Sequence, residues 1–137
     1  MFPDLENTLV AGKNAYQEID DHAWVENDFL PKIQQRGAEI IKARGASSAS
    51  SAARAACDTV KAVEHPTRSG DVFNAAVMSD GAYGMPEGIF SGFPLISDGN
   101  GSVEIVRDYS LSDFAKKGLE KTANELVEER DLVKDLI

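Results

Sequence analysis

The stretch Ile40–Cys57, IIKARGASSASSAARAAC, decides how this chain is read. An apolar helical segment ends in Ile40 and Ile41, Arg44-Gly45-Ala46-Ser47-Ser48 interrupts it, and a run of almost nothing but Ala and Ser follows. Ser and Ala runs also serve as flexible linkers. Here the run is mostly alanine, the strongest helix former, and continues without a breaker into Cys57, Val60 and Val63, so it predicts a helix. Gly45 suits the positive φ that closes the preceding helix, and Ser47 or Ser48 suits the N-cap of the next. A helix surfaced with methyls and hydroxyls lets a backbone or ligand come close, and its N-terminus favours a carboxylate.

Upstream of the break, Asp20 and Asp21 form a cap for a helix beginning near His22, with Trp24, Val25, Phe29, Leu30, Ile33, Ile40 and Ile41 at mostly helical spacing. Pro31 removes a hydrogen bond within it and predicts a kink or a fresh start. Before that, Asn7–Val10 reads as extended, Ala11-Gly12-Lys13-Asn14 as a hairpin turn and Ala15–Ile19 as the returning strand. Downstream, 64–70 is a loop, Asp71–Met78 a largely buried strand and Ser79–Gly88 a turn-rich connection. Asp98-Gly99-Asn100-Gly101 is a hairpin turn joining strands Ile89–Ser97 and Val103–Asp108, so the sheet is largely antiparallel. Ser110–Leu136 carries Leu111, Phe114, Ala115, Leu119, Ala123, Leu126, Val127 and Val133 on one helical stripe. Strands and helices are segregated, which is the α+β class.

The 137 residues fit one domain, residues 1–137, and 42% apolar composition suffices for a core. The net charge of −9 disfavours nucleic acid and anionic membranes, and no basic patch overrides it. The excess is concentrated in residues 69–137, with 6 basic and 13 acidic side chains, against 8 and 10 in residues 1–68. A single cysteine, no apolar run of spanning length and no leader-like N-terminus make the cytoplasm the expected compartment.

Little in the sequence is equipped for catalysis. His22 lies beside two aspartates and His65 in a loop before Pro66; both read as surface residues. Cys57, among alanines, reads as a small buried hydrophobe. There is no phosphate-cradling loop, nucleophile elbow or metal-ligand spacing. Arg36, Arg44 and Arg54 could each hold a carboxylate, but helix-surface ion pairs are the simpler expectation.

The segments FPDLENTLVAGKNA, DDHAWVENDFLPKIQQRGAEIIKARGASSASSAARAACD, GDVFNAAVMSDGAYGMPEGIFSGFPL and DFAKKGLEKTANELVEE resemble the C-terminal, substrate-side half of NAD-dependent malate dehydrogenases, of the type shared by eukaryotic cytosol and several bacteria. The resemblance covers essentially the whole chain. It rests on QQRGAEIIKARGASS, the YGMPEG turn and the SGFP strand in order. It implies the α+β fold of the lactate/malate dehydrogenase C-terminal domain, in a dimeric enzyme of the tricarboxylic acid cycle that reversibly oxidises malate to oxaloacetate. A separate Rossmann domain would hold NAD and pack against this half. In the family a Trp-Gly-Asn-His segment with the catalytic histidine precedes the residues that match Met1 and Phe2, and the partner aspartate, the substrate arginines and the nucleotide fingerprint lie further upstream. The resemblance therefore implies that the chain begins after them and is inactive alone. It gives Ser47 and Ser48 as substrate-binding residues, and no catalytic, cofactor-binding or metal residue here. An interaction or oligomerisation module that keeps the fold without the reaction is the alternative. Arg54 and AVEHPTRSGD depart from the family pattern.

Overall fold

Two consecutive residues with positive φ, Ala11 (52°) and Gly12 (79°), turn the chain back on itself first. That geometry matches the right-handed twist of a two-residue hairpin. A computed structural model describes residues 3–136. The hairpin pairs β1 (Leu9–Val10) with β2 (Lys13–Asn14) and stops there. The expected returning strand at Ala15–Ile19 is instead a short helix, α1. Asn14 causes the switch: its side chain accepts from the Gln17 N–H at 3.0 Å, a helix N-cap, while Ala15 N–H donates to the Thr8 carbonyl at 2.9 Å. Asp20 (φ 46°) then closes α1 in the left-handed region.

Asp21 caps α2 (His22–Trp24) by accepting from the Trp24 N–H at 2.9 Å. A π-turn, Val25–Phe29, leads from it into α3 (Leu30–Arg44). In the π-turn the Leu30 N–H reaches back five residues to the Val25 carbonyl. Pro31 therefore enters α3 in its first turn, where a missing N–H is tolerated, and the fresh start expected at this proline takes the form of a π-turn. Gly45 closes α3 (φ 70°), its N–H donating to the Ile41 carbonyl at 2.8 Å, and α4 (Ala49–Glu64) follows.

The chain divides into two units, residues 1–53 and 54–137. The second is built on an antiparallel sheet in the order β3 (Phe73–Met78), β4 (Phe90–Ser97), β5 (Val103–Ile105), a meander by strand order. β3 is half-buried, not largely buried: its residues alternate between partly covered and exposed, because only one face of the sheet meets the core. That core contains Phe93 and Leu95 of β4, Ala82 and Met85 of the β3–β4 connection, and Ala123 of the terminal helix α5 (Asp113–Val133), with Leu119 packed against it. Ala115, Leu119 and Ala123 follow one another at i, i+4, i+8, so they share the face of α5 that is turned inward. Ser112 caps α5 by accepting from the Ala115 N–H.

Pro94 sits in the middle of the central strand, where a residue without an N–H is normally excluded. Its carbonyl accepts from the Val106 N–H at 2.9 Å, so the reciprocal ladder bond, Pro94 N–H to the Val106 carbonyl, is the one proline cannot make. The Tyr83 hydroxyl makes it instead, donating to the Val106 carbonyl. To do so Tyr83 adopts φ 55°, ψ 22° within the short 3₁₀ turn Ala82–Gly84. Burial of its ring raises the phenol pKa, which keeps the donor protonated. Arg107 pairs with Asp80 next to it. Partial burial pushes the Asp80 carboxyl upward, but the Arg107 hydrogen bond and the Ala82 N–H outweigh it and hold the group below its ordinary value. Buried Ser79 donates to the Met85 carbonyl at 3.0 Å and anchors the base of the same connection.

At the other end of β4, Ser97 donates to the Val63 carbonyl at 2.6 Å and accepts from Gly99 N–H at 3.0 Å, tying the end of α4 to the β4–β5 turn. Gly99 (φ 82°) passes so close to Pro66 that an added Cβ would lie 2.5 Å from its Cδ and 2.8 Å from its nitrogen.

Two stability measurements check these assignments. Tyr83→Phe should cost about 1–2 kcal/mol in urea unfolding by stranding the Val106 carbonyl. In a Pro94→Ala background, where the strand regains its own donor, the same change should cost less; equal costs in both backgrounds would break the link. Gly99→Ala should cost about 2–4 kcal/mol, from left-handed strain plus collision with Pro66. Gly101→Ala, with positive φ but open space around it, should cost about 1–2 kcal/mol.

Candidate functional site

The break between α3 and α4 is made by three local choices. Gly45 takes the left-handed conformation that a side chain would strain, so α3 ends and the chain turns. Arg44, in the last turn of α3, donates from Nη1 to the Ser47 carbonyl at 3.2 Å and fixes the turn from the other side. Ser48 occupies the N-cap position of α4, and its carbonyl accepts from the Ala52 N–H at 3.4 Å. Ser47 is exposed and Ser48 half-buried. The first turn of α4, Ala49-Ser50-Ser51-Ala52, is exposed and holds no acidic residue, so nothing charged competes for its N–H groups. Two hydroxyls, a helix N-terminus and a guanidinium therefore sit within a few residues of one another, a donor-rich arrangement suited to a carboxylate.

The other candidates are occupied elsewhere. Arg36 pairs with Glu39 at 3.4 Å and Arg54 with Asp58 at 2.6 Å, each on its own helix. Arg44 alone of the three arginines bonds to the serine segment, through a backbone carbonyl that residue type and spacing do not advertise. His22 stacks on Tyr16, centroids 4.1 Å apart and planes 15° from parallel. Partial burial, with Glu6 and Glu26 nearby, raises the Tyr16 pKa, so the ring under His22 is a neutral phenol. His65 places Nδ1 2.9 Å from the Lys61 carbonyl, a helix-end contact. Cys57 is exposed, not the buried hydrophobe its alanine neighbours suggested: α4 is exposed from Ala49 to Lys61, so composition misjudged its surroundings. Among the described residues no group of three or more His, Cys, Asp or Glu could hold a metal ion, and no helix is long and apolar enough to cross a membrane. Both described sheets are antiparallel, so the described strands do not form the parallel strand-turn-helix unit of a dinucleotide fold.

The arrangement has counterparts. Residues 1–137 match the family model for the lactate/malate dehydrogenase alpha/beta C-terminal domain. A malate dehydrogenase from Magnetococcus marinus is 49% identical over 98% of this chain, which spans 41% of that protein. The crystal structure of a malate dehydrogenase from Naegleria fowleri superposes with a TM-score of 0.88 at 35% identity, covering 99% of this chain and 41% of that one. A Trichomonas vaginalis lactate dehydrogenase in complex with NADH and oxamate superposes with a TM-score of 0.84 at 28% identity, over 96% of this chain and 41% of that one. With its whole length matched by that domain model and about two-fifths of each relative covered, the chain belongs to the lactate/malate dehydrogenase family as its alpha/beta C-terminal domain.

Proposed function

We propose that this chain supplies the substrate-side wall of an NAD-dependent malate dehydrogenase, with Ser47 and Ser48 helping to hold the dicarboxylate malate or oxaloacetate. The observation that carries the reading is the 49% identity to a malate dehydrogenase across nearly the whole chain. The donor-rich break at Gly45–Ala49 supports it. Serine hydroxyls orient a carboxylate by hydrogen bonding; they do not accept a hydride or the hydroxyl proton of malate. NAD, which supplies the hydride acceptor, belongs in this reading to a separate Rossmann domain. His22 and His65 are engaged with Tyr16 and the end of α4, so neither is offered as the acid or base.

The 137-residue chain alone should show no malate oxidation above background with NAD. Mixed with a separately produced NAD-binding half of the Magnetococcus marinus enzyme, it should recover turnover. In that mixture Ser47→Ala and Ser48→Ala should raise KM for malate more than they lower kcat. Turnover by the pure chain, or serine variants with unchanged KM, would overturn the reading.

Pairing with a second copy is part of the same proposal. The small-residue face Ala49, Ala52, Ala53 and Ala56 is exposed, and Val60 on the same helix is 62% exposed. Burial of an exposed apolar face stabilises association by roughly 25 cal/mol per Å² before association costs are subtracted. The negative charge opposes approach only within about 8 Å at physiological salt. Sedimentation equilibrium at micromolar concentration should give the mass of a dimer, and Ala53→Glu should return a monomer. A wild-type mass that stays monomeric removes this part of the proposal and favours an interaction module with a different partner.

A further inference from the structure

Three times in this chain an aspartate or asparagine precedes glycine: Asp80-Gly81, Asp98-Gly99 and Asn100-Gly101. At such a pair the glycine nitrogen can attack the preceding side-chain carbonyl, because no Cβ stands in the way. The structure treats the three pairs differently.

At Asp80-Gly81 the glycine N–H donates to Ser79 Oγ at 3.2 Å, and the carboxylate is held by the Ala82 N–H at 3.2 Å and by Arg107. At Asp98-Gly99 the glycine N–H donates to Ser97 Oγ at 3.0 Å. The Asp98 carboxylate accepts from the N–H groups of Asn100 at 2.7 Å and Ser102 at 3.3 Å, and Gly99 is pressed against Pro66. In both pairs nucleophile and electrophile are tied down. Asn100-Gly101 lacks these ties. Both residues are exposed, Gly101 has φ 85° with nothing within 4 Å of where a Cβ would be, and among the described residues Asn100 bonds through its main-chain N–H to Asp98 while its side-chain amide and the Gly101 N–H have no hydrogen-bond partner. The remaining asparagines, Asn7, Asn14, Asn27, Asn74 and Asn124, precede residues that carry a Cβ. Asn14 is also committed to capping α1, and Asn27 and Asn124 lie within helical turns.

We infer that Asn100 is a site of spontaneous deamidation in the folded chain. The Gly101 nitrogen, losing its proton to hydroxide or buffer base, bonds to Asn100 Cγ; the Cγ–nitrogen bond of the amide breaks and ammonia leaves, closing a five-membered imide. Water then adds to either imide carbonyl. One product is aspartate at position 100, and the other is isoaspartate, in which the main chain runs through the former side chain and is one carbon longer. No electron transfer occurs, and water is the only co-reactant. Each product adds one negative charge to a chain that is already at −9. Isoaspartate also lengthens a turn whose neighbouring Gly99 has no room to shift toward Pro66.

The test is to incubate the chain at mildly alkaline pH and 37 °C, with a parallel sample unfolded in urea, and to map both by peptide mass and isoaspartate assay over time. In the folded sample, one more acidic band should appear on isoelectric focusing. It should map to Asn100 as the replacement of NH by O, several times faster than at any other asparagine, with Asp80 and Asp98 remaining normal aspartates. Asn100→Gln, whose longer side chain closes the imide ring far more slowly, should show no such band. An Asn100 that stays intact in the folded chain while it converts in urea would show that the turn protects it and would overturn the inference. So would earlier conversion at any other position in the folded sample.

Discussion

Pro94 leaves the central strand of the three-stranded sheet one donor short, and the local structure around it is arranged to provide that donor. The Val106 carbonyl lies where a ladder bond should arrive, and an unsatisfied carbonyl at the margin of a core is costly. The Tyr83 hydroxyl reaches it across 23 residues of sequence, at the expense of a left-handed backbone that tyrosine otherwise avoids. The glycines flanking Tyr83, Gly81 at φ 91° and Gly84 at φ 75°, make that excursion possible. Arg107 and Asp80 add a second tie between the same two segments. With the connection pinned, Ala82 and Met85 are delivered into the cluster around Phe93, Leu95 and Ala123. One missing N–H thus accounts for the strained tyrosine and its glycine neighbours, and it explains how part of a loop becomes core.

The same comparison shows what a sequence can and cannot disclose. Asp98-Gly99-Asn100-Gly101 announced its hairpin because positive φ at glycine is a local property. The Gly45 break was legible for the same reason. Ala15–Ile19 was misread as a strand because its residues have no decisive propensity. The deciding signal was Asn14 three residues before Gln17, a capping pattern hidden inside an apparent turn. The π-turn before Pro31 was visible only as a disturbance, since a proline says that a helix must adjust and leaves open how. The role of Tyr83 was not legible at all. It depends on a pairing between strands that no window of neighbouring residues contains.

The candidate site shows the same division. That Ser47 and Ser48 would stand between two helix ends could be read from Gly45 and the alanine run. That Arg44 would donate to the Ser47 carbonyl, while Arg36 pairs with Glu39 and Arg54 with Asp58, could not, because residue type alone does not name an arginine's partner. The sequence placed His22 at a helix start beside two aspartates, and its stack on Tyr16 is a contact that only the fold reveals.

The chemistry these residues can support is positional. A hydride transfer between malate and a nicotinamide needs a group that takes or returns a hydroxyl proton and a surface that aligns the two reactants. The first demands a titratable side chain held by an orienting partner and free to face substrate. In the proposed reading neither His65, with Nδ1 on the Lys61 carbonyl, nor His22, stacked on Tyr16, is assigned that part. The second demands donors whose geometry is set before substrate arrives. Gly45 fixes the turn by its backbone, Arg44 ties the Ser47 carbonyl, and the start of α4 at Ala49 orients the N–H groups of its first turn. None of these can exchange a proton at neutral pH, and each loses value if the turn loosens. In the proposed reading a wall built from such parts contributes by preorganisation, so its worth to the reaction is set by the rigidity of a break that one glycine, one arginine and two serines define.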